Sequence, residues 1–423
     1  MSLALVDQLN FDKQMPIDGN CMQQISVTVP ATGSGPYYPG GYFLINIARC
    51  GQQFVFDPMN SFLRFKVTNP GDQSCTPDHR ADSFIEKLEV LHAGNVLEQI
   101  NSYGVLSSML LDCQVDPYLR RGALNATKGC DAAGGIKGST LSASGTAGNS
   151  AFYSVTLLSG IVGSLCRNYI PVNELEGSIQ IRVTLAASTS ACKWTTAPTN
   201  TDQLVFSDIE FHANMIKLSE PILAMVKSNN YTIYTESYNN FRQSVASNVM
   251  SIEQLIPTRY SSLKTVFVVQ RVSATSLNTA HTLNPNSRDT FQITDCCFRL
   301  GSEQIPPSRV RCEGYDYVEA FEALKVAFHC GGNALTSMGI LNRTTYKTTA
   351  SSALGGLFII GQDFESSSGK SGSILSGIST LGSDLYFSAN YSTGGIAAAA
   401  IFDFFLHYDM KLIIENRILT VNV

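Results

Sequence analysis

Residues 60–218 and 260–412 run through the same succession of segments, and that repetition narrows the possible folds more than any other property of the chain. In the first half an alternating run opens over residues 60–67, with Leu63, Phe65 and Val67 set between Arg64 and Lys66. In the second half residues 260–267 open in the same way. A hairpin turning on glycine follows, at Gly94 and then at Gly301. Each hairpin leads into a short amphipathic helical pattern and a Gly/Ser-rich excursion. Each half closes on similar text: His212-Ala213-Asn214-Met215-Ile216-Lys217-Leu218, then His407-Tyr408-Asp409-Met410-Lys411-Leu412. From Ser61 to Ser262 is 201 residues, from Gly94 to Gly301 is 207, and from His212 to His407 is 195. A period near half of 423 residues far exceeds the roughly 20–50 residues of a solenoid unit. It implies two whole domains of one fold, which suits a chain of this length.

The local patterns are those of strands. Ile179, Ile181, Val183 and Leu185 alternate with Gln180, Arg182 and Thr184; Ile209, Phe211, Ala213 and Met215 alternate with Glu210, His212 and Asn214. A period of two with one apolar face predicts antiparallel sheets packed on one side. Residues 85–92 and 96–100 read as a hairpin around Ala93-Gly94-Asn95. Helices are few. Asn101 or Ser102 can cap one in which Tyr103, Leu106 and Leu110 share a face. A second is expected over about 316–328, with Val318, Phe321, Leu324 and Phe328 at helical spacing. The Gly/Ser/Thr-rich segments 128–150, 186–202 and 365–379 are the long loops.

About 200 residues of short antiparallel strands, with one small helix after an early hairpin, fit an eight-stranded jelly roll with insertions. The expected architecture is therefore all-β: two tandem eight-stranded jelly-roll β-sandwiches with short helices in loops. The first unit takes residues 1–227, including an N-terminal arm, and the second takes 228–423. The boundary falls where the first closing pattern ends, near residues 225–228, before Tyr231-Thr232-Ile233-Tyr234 starts a new strand.

Charged residues make up only 15% of the chain, against roughly 25% in typical soluble domains. A surface so poor in charge suits a protein that buries much of itself against its own copies. The net charge is −5 and neither end carries a basic run, so direct packing of a genome and sequence-specific nucleic-acid binding are not expected. Eleven cysteines occur without a Cys-x-x-Cys pair, and Cys21, Cys50, Cys113, Cys166 and Cys330 sit in apolar or strand-like runs. They read as buried free thiols of a protein made in a reducing compartment, cytoplasm or nucleus. Cys296 and Cys297 face opposite sides of a strand, which disfavours a disulfide between them. No signal peptide or myristoylation signal is expected at the start. The apolar run 396–405 is short and broken by Asp403. Sequons at Asn125, Asn230, Asn342 and Asn390 are expected to stay unused.

No catalytic, cofactor-binding or metal-binding residues are assigned. Gly369-Lys370-Ser371 lacks the leading glycine of a phosphate loop, since Phe364 stands at that position. His407 and Asp409 share a strand face and could hold a metal with a third ligand, but none is identifiable, and a polar sheet face is the preferred reading. The remaining histidines, His79, His92, His212, His281 and His329, lack metal-ligand spacing. His329-Cys330 end a helical pattern, where a core thiol is commoner than a nucleophile. Trp194, the only tryptophan, lies in the polar 186–202 loop, where it either anchors an interface or packs on its own loop, with the anchor preferred. In the excursion 113–150, Tyr118, Leu119 and the Arg120-Arg121 pair could anchor a neighbour; the alternative is a solvated loop.

Three stretches carry a resemblance: residues 84–106, from Phe84-Ile85-Glu86-Lys87-Leu88 to Ser102-Tyr103-Gly104; residues 298–321, from Phe298-Arg299-Leu300-Gly301 to Val318-Glu319-Ala320-Phe321; and residues 403–414. Their layout resembles the double jelly-roll major capsid proteins of the lineage that includes adenovirus hexon, tailless-phage coat proteins, virophages and polinton-like viruses. The compact size is more similar to the polinton-like and phage-type members than to hexon. The resemblance implies a structural subunit of an icosahedral virion, not an enzyme. It implies homotrimeric capsomers in contact with neighbouring capsomers, with penton and minor capsid proteins as further partners. By analogy the genome is double-stranded DNA; an internal membrane is left open. The competing reading is a tandem β-sandwich binding module, such as a lectin-like, spike or adhesin protein.

Overall fold

The computed structural model describes residues 22–33, 35–78, 80–129, 140–195, 204–227, 230–273, 287–312, 317–328, 338–347, 356–365 and 376–423. The first half contributes β1 (Met22–Pro30), β2 (Tyr42–Ile47), β3 (Phe54–Thr68), β4 (Cys75–Pro77), β5 (Ile85–His92), β6 (Asn95–Asn101), β7 (Ser150–Val155), β8 (Ile179–Leu185), β9 (Cys192–Trp194) and β10 (Val205–Leu218). The second contributes β11 (Asn230–Val245), β12 (Ser251–Ile256), β13 (Leu263–Val272), β14 (Ile293–Leu300), β15 (Glu303–Arg311), β16 (Ile360–Asp363), β17 (Leu385–Tyr391), β18 (Ala400–Glu415) and β19 (Ile418–Asn422).

The first half forms one sheet in the order β1-β10-β3-β7 and another in the order β2-β8-β5-β6. The second half forms β11-β18-β13-β16 and β12-β17-β14-β15, with β19 added beside β18. Leaving aside the short β4-β9 ribbon and β19, the two halves have the same strand order, strand for strand. Each sheet buries one face, so its strands alternate. Ile179, Ile181, Val183 and Leu185 of β8 are buried between half-exposed neighbours, and Leu385, Phe387, Ala389 and Tyr391 of β17 repeat the pattern.

Aromatic rings join the two layers of each sandwich. In the first, Phe65, Tyr153 and Phe206 of one sheet surround Phe84 at the entry to the other. In the second, Phe404 of one sheet meets Phe387 of the other at 5.5 Å, and Phe387 meets Phe298 at 5.2 Å. Each such ring contributes about 1.5–3 kcal/mol by leaving water.

The segments that match in sequence occupy matching places. His212 in β10 stacks on Phe62 at 4.6 Å, and His407 in β18 stacks on Tyr238 at 4.5 Å. The Ser61 hydroxyl accepts the Asn214 N–H at 2.9 Å, and the Ser262 hydroxyl donates to Asp409 at 2.5 Å. Gly94 and Gly301 sit in the tight β5–β6 and β14–β15 turns with φ of 82° and 59°, a region that costs other residues energy.

The expected helices are Tyr103–Gln114 and Val318–Ala327. Tyr103, Leu106 and Leu110 are buried as their spacing requires. Val318, expected on the packed face of the second helix, is instead exposed, and Ala320, Leu324 and Ala327 carry the contact. Ser102 holds the N-cap position, but in a left-handed conformation with φ of 51°, and its side chain caps nothing. It has a different task, at the seam between the halves.

Candidate assembly surface

The two sandwiches are joined by polar groups buried between them. The first cluster centres on Asp112, near the end of the helix Tyr103–Gln114. Arg120 reaches its Oδ1 at 2.9 Å, and Arg288 of the second half pairs with its Oδ2. All three side chains are at most 1% exposed. The Ile340 N–H donates to the Asp112 carbonyl at 3.0 Å. A side chain at Gly339 would run into that carbonyl, and its φ of +59° also favours glycine.

The second cluster centres on Asp403, which is 0% exposed. Arg242 Nε donates to one carboxylate oxygen at 2.8 Å, and Arg271 Nε donates to the other at 3.0 Å. Burial alone would raise the Asp403 pKa, but Arg271 and Arg242 together hold it below the ordinary aspartate value. Ser102 enters here from the first half. Its hydroxyl accepts from Arg242 at 2.5 Å and lies 3.4 Å from Asp403.

The third cluster centres on Glu98 of β6, 2% exposed. It accepts hydrogen bonds from the Ser159 hydroxyl, from the Gly160 N–H at 2.8 Å, and from the Ser237 hydroxyl of β11. Among the described residues no cation pairs with it. Burial pushes its carboxyl up from the usual glutamate value, and the hydrogen bonds from Ser159, Ser237 and Gly160 partly oppose this. Gly160 permits the close approach, since a side chain there would meet the Glu236 carbonyl of β11.

These clusters change two readings of the sequence. Arg120 does not anchor a neighbour, because it is spent on Asp112 inside the chain. Tyr118, 81% exposed, and Leu119, 58% exposed, do face solvent. Trp194 is not an exposed anchor either. It is 0% exposed, because β9 pairs with β4 and turns the indole into the core beside Cys75.

His407 and Asp409 lie in a polar cluster with Glu236 and Lys264. His407 Nε2 lies 3.0 Å from Glu236, and Lys264 reaches Glu236 at 2.7 Å and Glu365 at 3.3 Å. The hydrogen bond from His407, followed by Lys264, holds the Glu236 carboxyl well below the usual range. Among the described residues no cluster of His, Cys, Asp and Glu could hold a metal ion. None of their helices is long and apolar enough to cross a membrane. Cys166 is a buried free thiol, Cys113 is buried and Cys50 is half-buried. Burial raises the Cys166 thiol to about 12. Gly369-Lys370-Ser371, His79, His281, His329, Cys21 and Cys330 lie outside the described residues, as do 130–139, 196–203 and 366–375 of the long loops.

The strand order β1-β10-β3-β7 facing β2-β8-β5-β6, repeated in the second half, is the eight-stranded two-sheet arrangement of a jelly roll. No protein-family model matches the chain, and no curated protein matches it in sequence. Solved structures do match. The capsid of the virus PBCV-1 superposes with a TM-score of 0.65 at 12% identity, covering 98% of this chain and 100% of that one. The structure of the Sputnik virophage gives 0.62 at 12% identity, covering 100% and 93%. The Faustovirus major capsid protein gives 0.63 at 8% identity, covering 94% and 91%. The fold is a double jelly roll. With identities this low the shared property is the fold, extending over nearly the whole length of each chain.

Within this double jelly roll the seam covers two sheet edges. Glu98 and Ile100 of β6, and Ile233, Thr235, Ser237 and Tyr238 of β11, are all buried. Little in the sequence marked Glu98 and Ser102 as seam residues, because their burial depends on β11, more than 130 positions away by either hydrogen bond. Asp112 and Asp403 did carry a signal: each is an acid inside an otherwise apolar run.

Proposed function

We propose that this chain is the major capsid protein of an icosahedral virus and acts as a homotrimeric capsomer. One observation carries the reading: a single chain holds two units of the same strand order, fixed to each other by the buried Asp112–Arg288 ion pair and by the hydrogen bonds Arg242–Ser102 and Ser237–Glu98. Three such chains around an axis present six similar units, which suits a hexagonal lattice site. Three-fold contacts are heterologous but close on themselves, so the capsomer stays finite. The full-length match to capsid structures supports this reading, and no specific observation favours a lectin-like or adhesin module.

In this proposal residues 1–227 and 228–423 are the two units. The partners are neighbouring capsomers, with penton and minor capsid proteins at special positions. The protein resides in the virion, after synthesis in a reducing compartment that keeps its thiols free. Its role is structural, not catalytic, and its net charge of −5 argues against condensing the genome directly. Electron microscopy of the purified protein, averaged without imposed symmetry, is expected to give three-fold particles with six lobes. Particles with two lobes only would overturn the capsomer reading.

A further inference from the structure

β4 and β9 form a two-stranded ribbon of their own, outside the two four-stranded sheets of the first half. Cys75 of β4 lies opposite Trp194, and Pro77 lies opposite Cys192 of β9. Opposite residues of an antiparallel pair share a face, and so do alternate residues along a strand. Cys75 and Cys192 are therefore diagonal neighbours on one face, and both are 0% exposed. Diagonal neighbours in a regular sheet stand about 7–8 Å apart, too far for a disulfide. A two-stranded ribbon twists more strongly than a larger sheet, which shortens one diagonal at the expense of the other. Here the two thiols meet in a hydrogen bond. Both are free cysteines.

We infer that Cys75 and Cys192 are a disulfide-forming pair, open under reducing conditions and closed once the chain meets an oxidising medium. The oxidant is a small disulfide such as glutathione disulfide. One cysteine attacks it as the thiolate and releases one glutathione. The second cysteine attacks the mixed disulfide, forms the Cys75–Cys192 S–S bond and releases the other glutathione. Two protein S–H bonds are lost, two glutathione S–H bonds form, and two electrons leave the protein.

Access decides which thiols react. Burial, followed by the Cys75 thiol, raises the Cys192 pKa, so the closed ribbon holds little thiolate. Each strand of the ribbon has only three residues, and so short a two-stranded pair opens readily. Opening it leaves the four-stranded sheets paired. A second thiol contact joins Cys296 and Cys312. There Cys296 sits in β14, held between β17 and β15, so the oxidant reaches it only by opening a four-stranded sheet. The ribbon pair closes first.

The bond would staple distant parts of the chain. From Cys75 to Cys192 is 117 residues, against 16 from Cys296 to Cys312, and the loop-entropy gain grows with loop length. Cys75 also exchanges both backbone hydrogen bonds with Leu141, at 3.0 and 2.7 Å. Closing the pair therefore fixes the root of the 113–150 excursion. That a released particle is what meets the oxidising medium rests on the capsomer reading; the chemistry of the pair does not.

The test uses the whole purified chain, prepared in reductant and transferred to glutathione disulfide. Remaining thiols are alkylated, and the chain is digested and mapped by mass spectrometry without reduction. The expected result is a peptide pair joined through Cys75 and Cys192, two hydrogens lighter than the separate peptides, formed before any Cys296–Cys312 link. The melting temperature should rise on oxidation and return to its starting value in dithiothreitol. Cys192→Ala should show no such rise; if that variant fails to fold, the wild-type map alone decides. Recovery of Cys75 and Cys192 as alkylated thiols, or as two separate glutathione adducts, would overturn the inference. So would a cross-link that leaves the melting temperature unchanged. Either outcome leaves the capsomer reading standing, because the bond lies within one chain. A wild-type monomer would overturn that reading and leave the bond to be decided by the map.

Discussion

Asp112→Ala is expected to destabilise the chain by about 3–5 kcal/mol, because it strands two buried guanidinium groups. Arg120 and Arg288 reach Asp112 from different halves, and neither side chain is more than 1% exposed. With the carboxylate gone, water cannot take its place without opening the seam. Each arginine must then be solvated by disrupting the packing, or remain charged and unpaired. The pair itself is not the source of the stability. Replacing Asp112, Arg120 and Arg288 together by apolar residues of similar volume should restore most of the loss, since buried ion clusters often break even against a packed apolar core. Urea unfolding of the wild type, Asp112→Ala and the triple variant would measure this. The single variant should also unfold in two separable steps, as the halves lose their common seam. A loss under 1 kcal/mol with one cooperative transition would mean that Asp112 does not join the halves.

The other large effect falls on Asp403, and pH sets its sign against that of Glu98. Asp403→Asn leaves Arg242 and Arg271 facing a neutral amide, and a cost near 3 kcal/mol is expected at neutral pH. Arg242 is 39% exposed and can partly recover its hydration, which puts the figure at the low end of the range. The Asp403 pKa is lowered from 3.8 in the folded chain. Its contribution is therefore present above 3.8 and is lost as pH falls through the lowered value. Glu98 is raised from 4.5, so the folded chain binds a proton that the unfolded chain has already lost. Its stabilising contribution is complete below 4.5 and disappears as pH rises through the raised value. Mild acidification from neutral should thus strengthen the wild-type seam before strong acid weakens it. Glu98→Gln should diminish the first change and Asp403→Asn the second, with Glu86 and Asp409 adding to the first and Glu236 to the second. Urea midpoints measured from neutral pH down to strong acid would show both; a Glu98→Gln chain with the wild-type rise would contradict the assignment.

What could be read from the sequence was whatever is set by neighbours along the chain. The alternation of Ile179 to Leu185 gave β8, and the glycines at 94 and 301 gave the hairpins, because pleat and turn geometry are local. The internal repeat was legible because His212 and His407, or Ser61 and Ser262, stand at corresponding places in each half, each histidine stacked on a ring of a neighbouring strand and each serine bonded to the closing strand. Burial across long distances was not legible. Trp194 looked exposed in a polar loop until β4, more than a hundred residues earlier, paired with it. Arg120 looked like half of a surface Arg-Arg pair, while its companion Arg288 lies in the other half. Asn101 or Ser102 suits a cap by sequence, since such residues before a helix usually are caps. The left-handed backbone of Ser102 turns its hydroxyl toward Asp403 instead.

In the proposed capsomer one chain supplies a third of a closed ring of similar units. The most direct test of this is the solution mass of the purified protein, by size-exclusion chromatography with light scattering. Three chains of 45.8 kDa give about 137 kDa, and that mass, or larger assemblies built from it, is the expected result. A mass of 45.8 kDa that persists across concentration and salt would contradict the account.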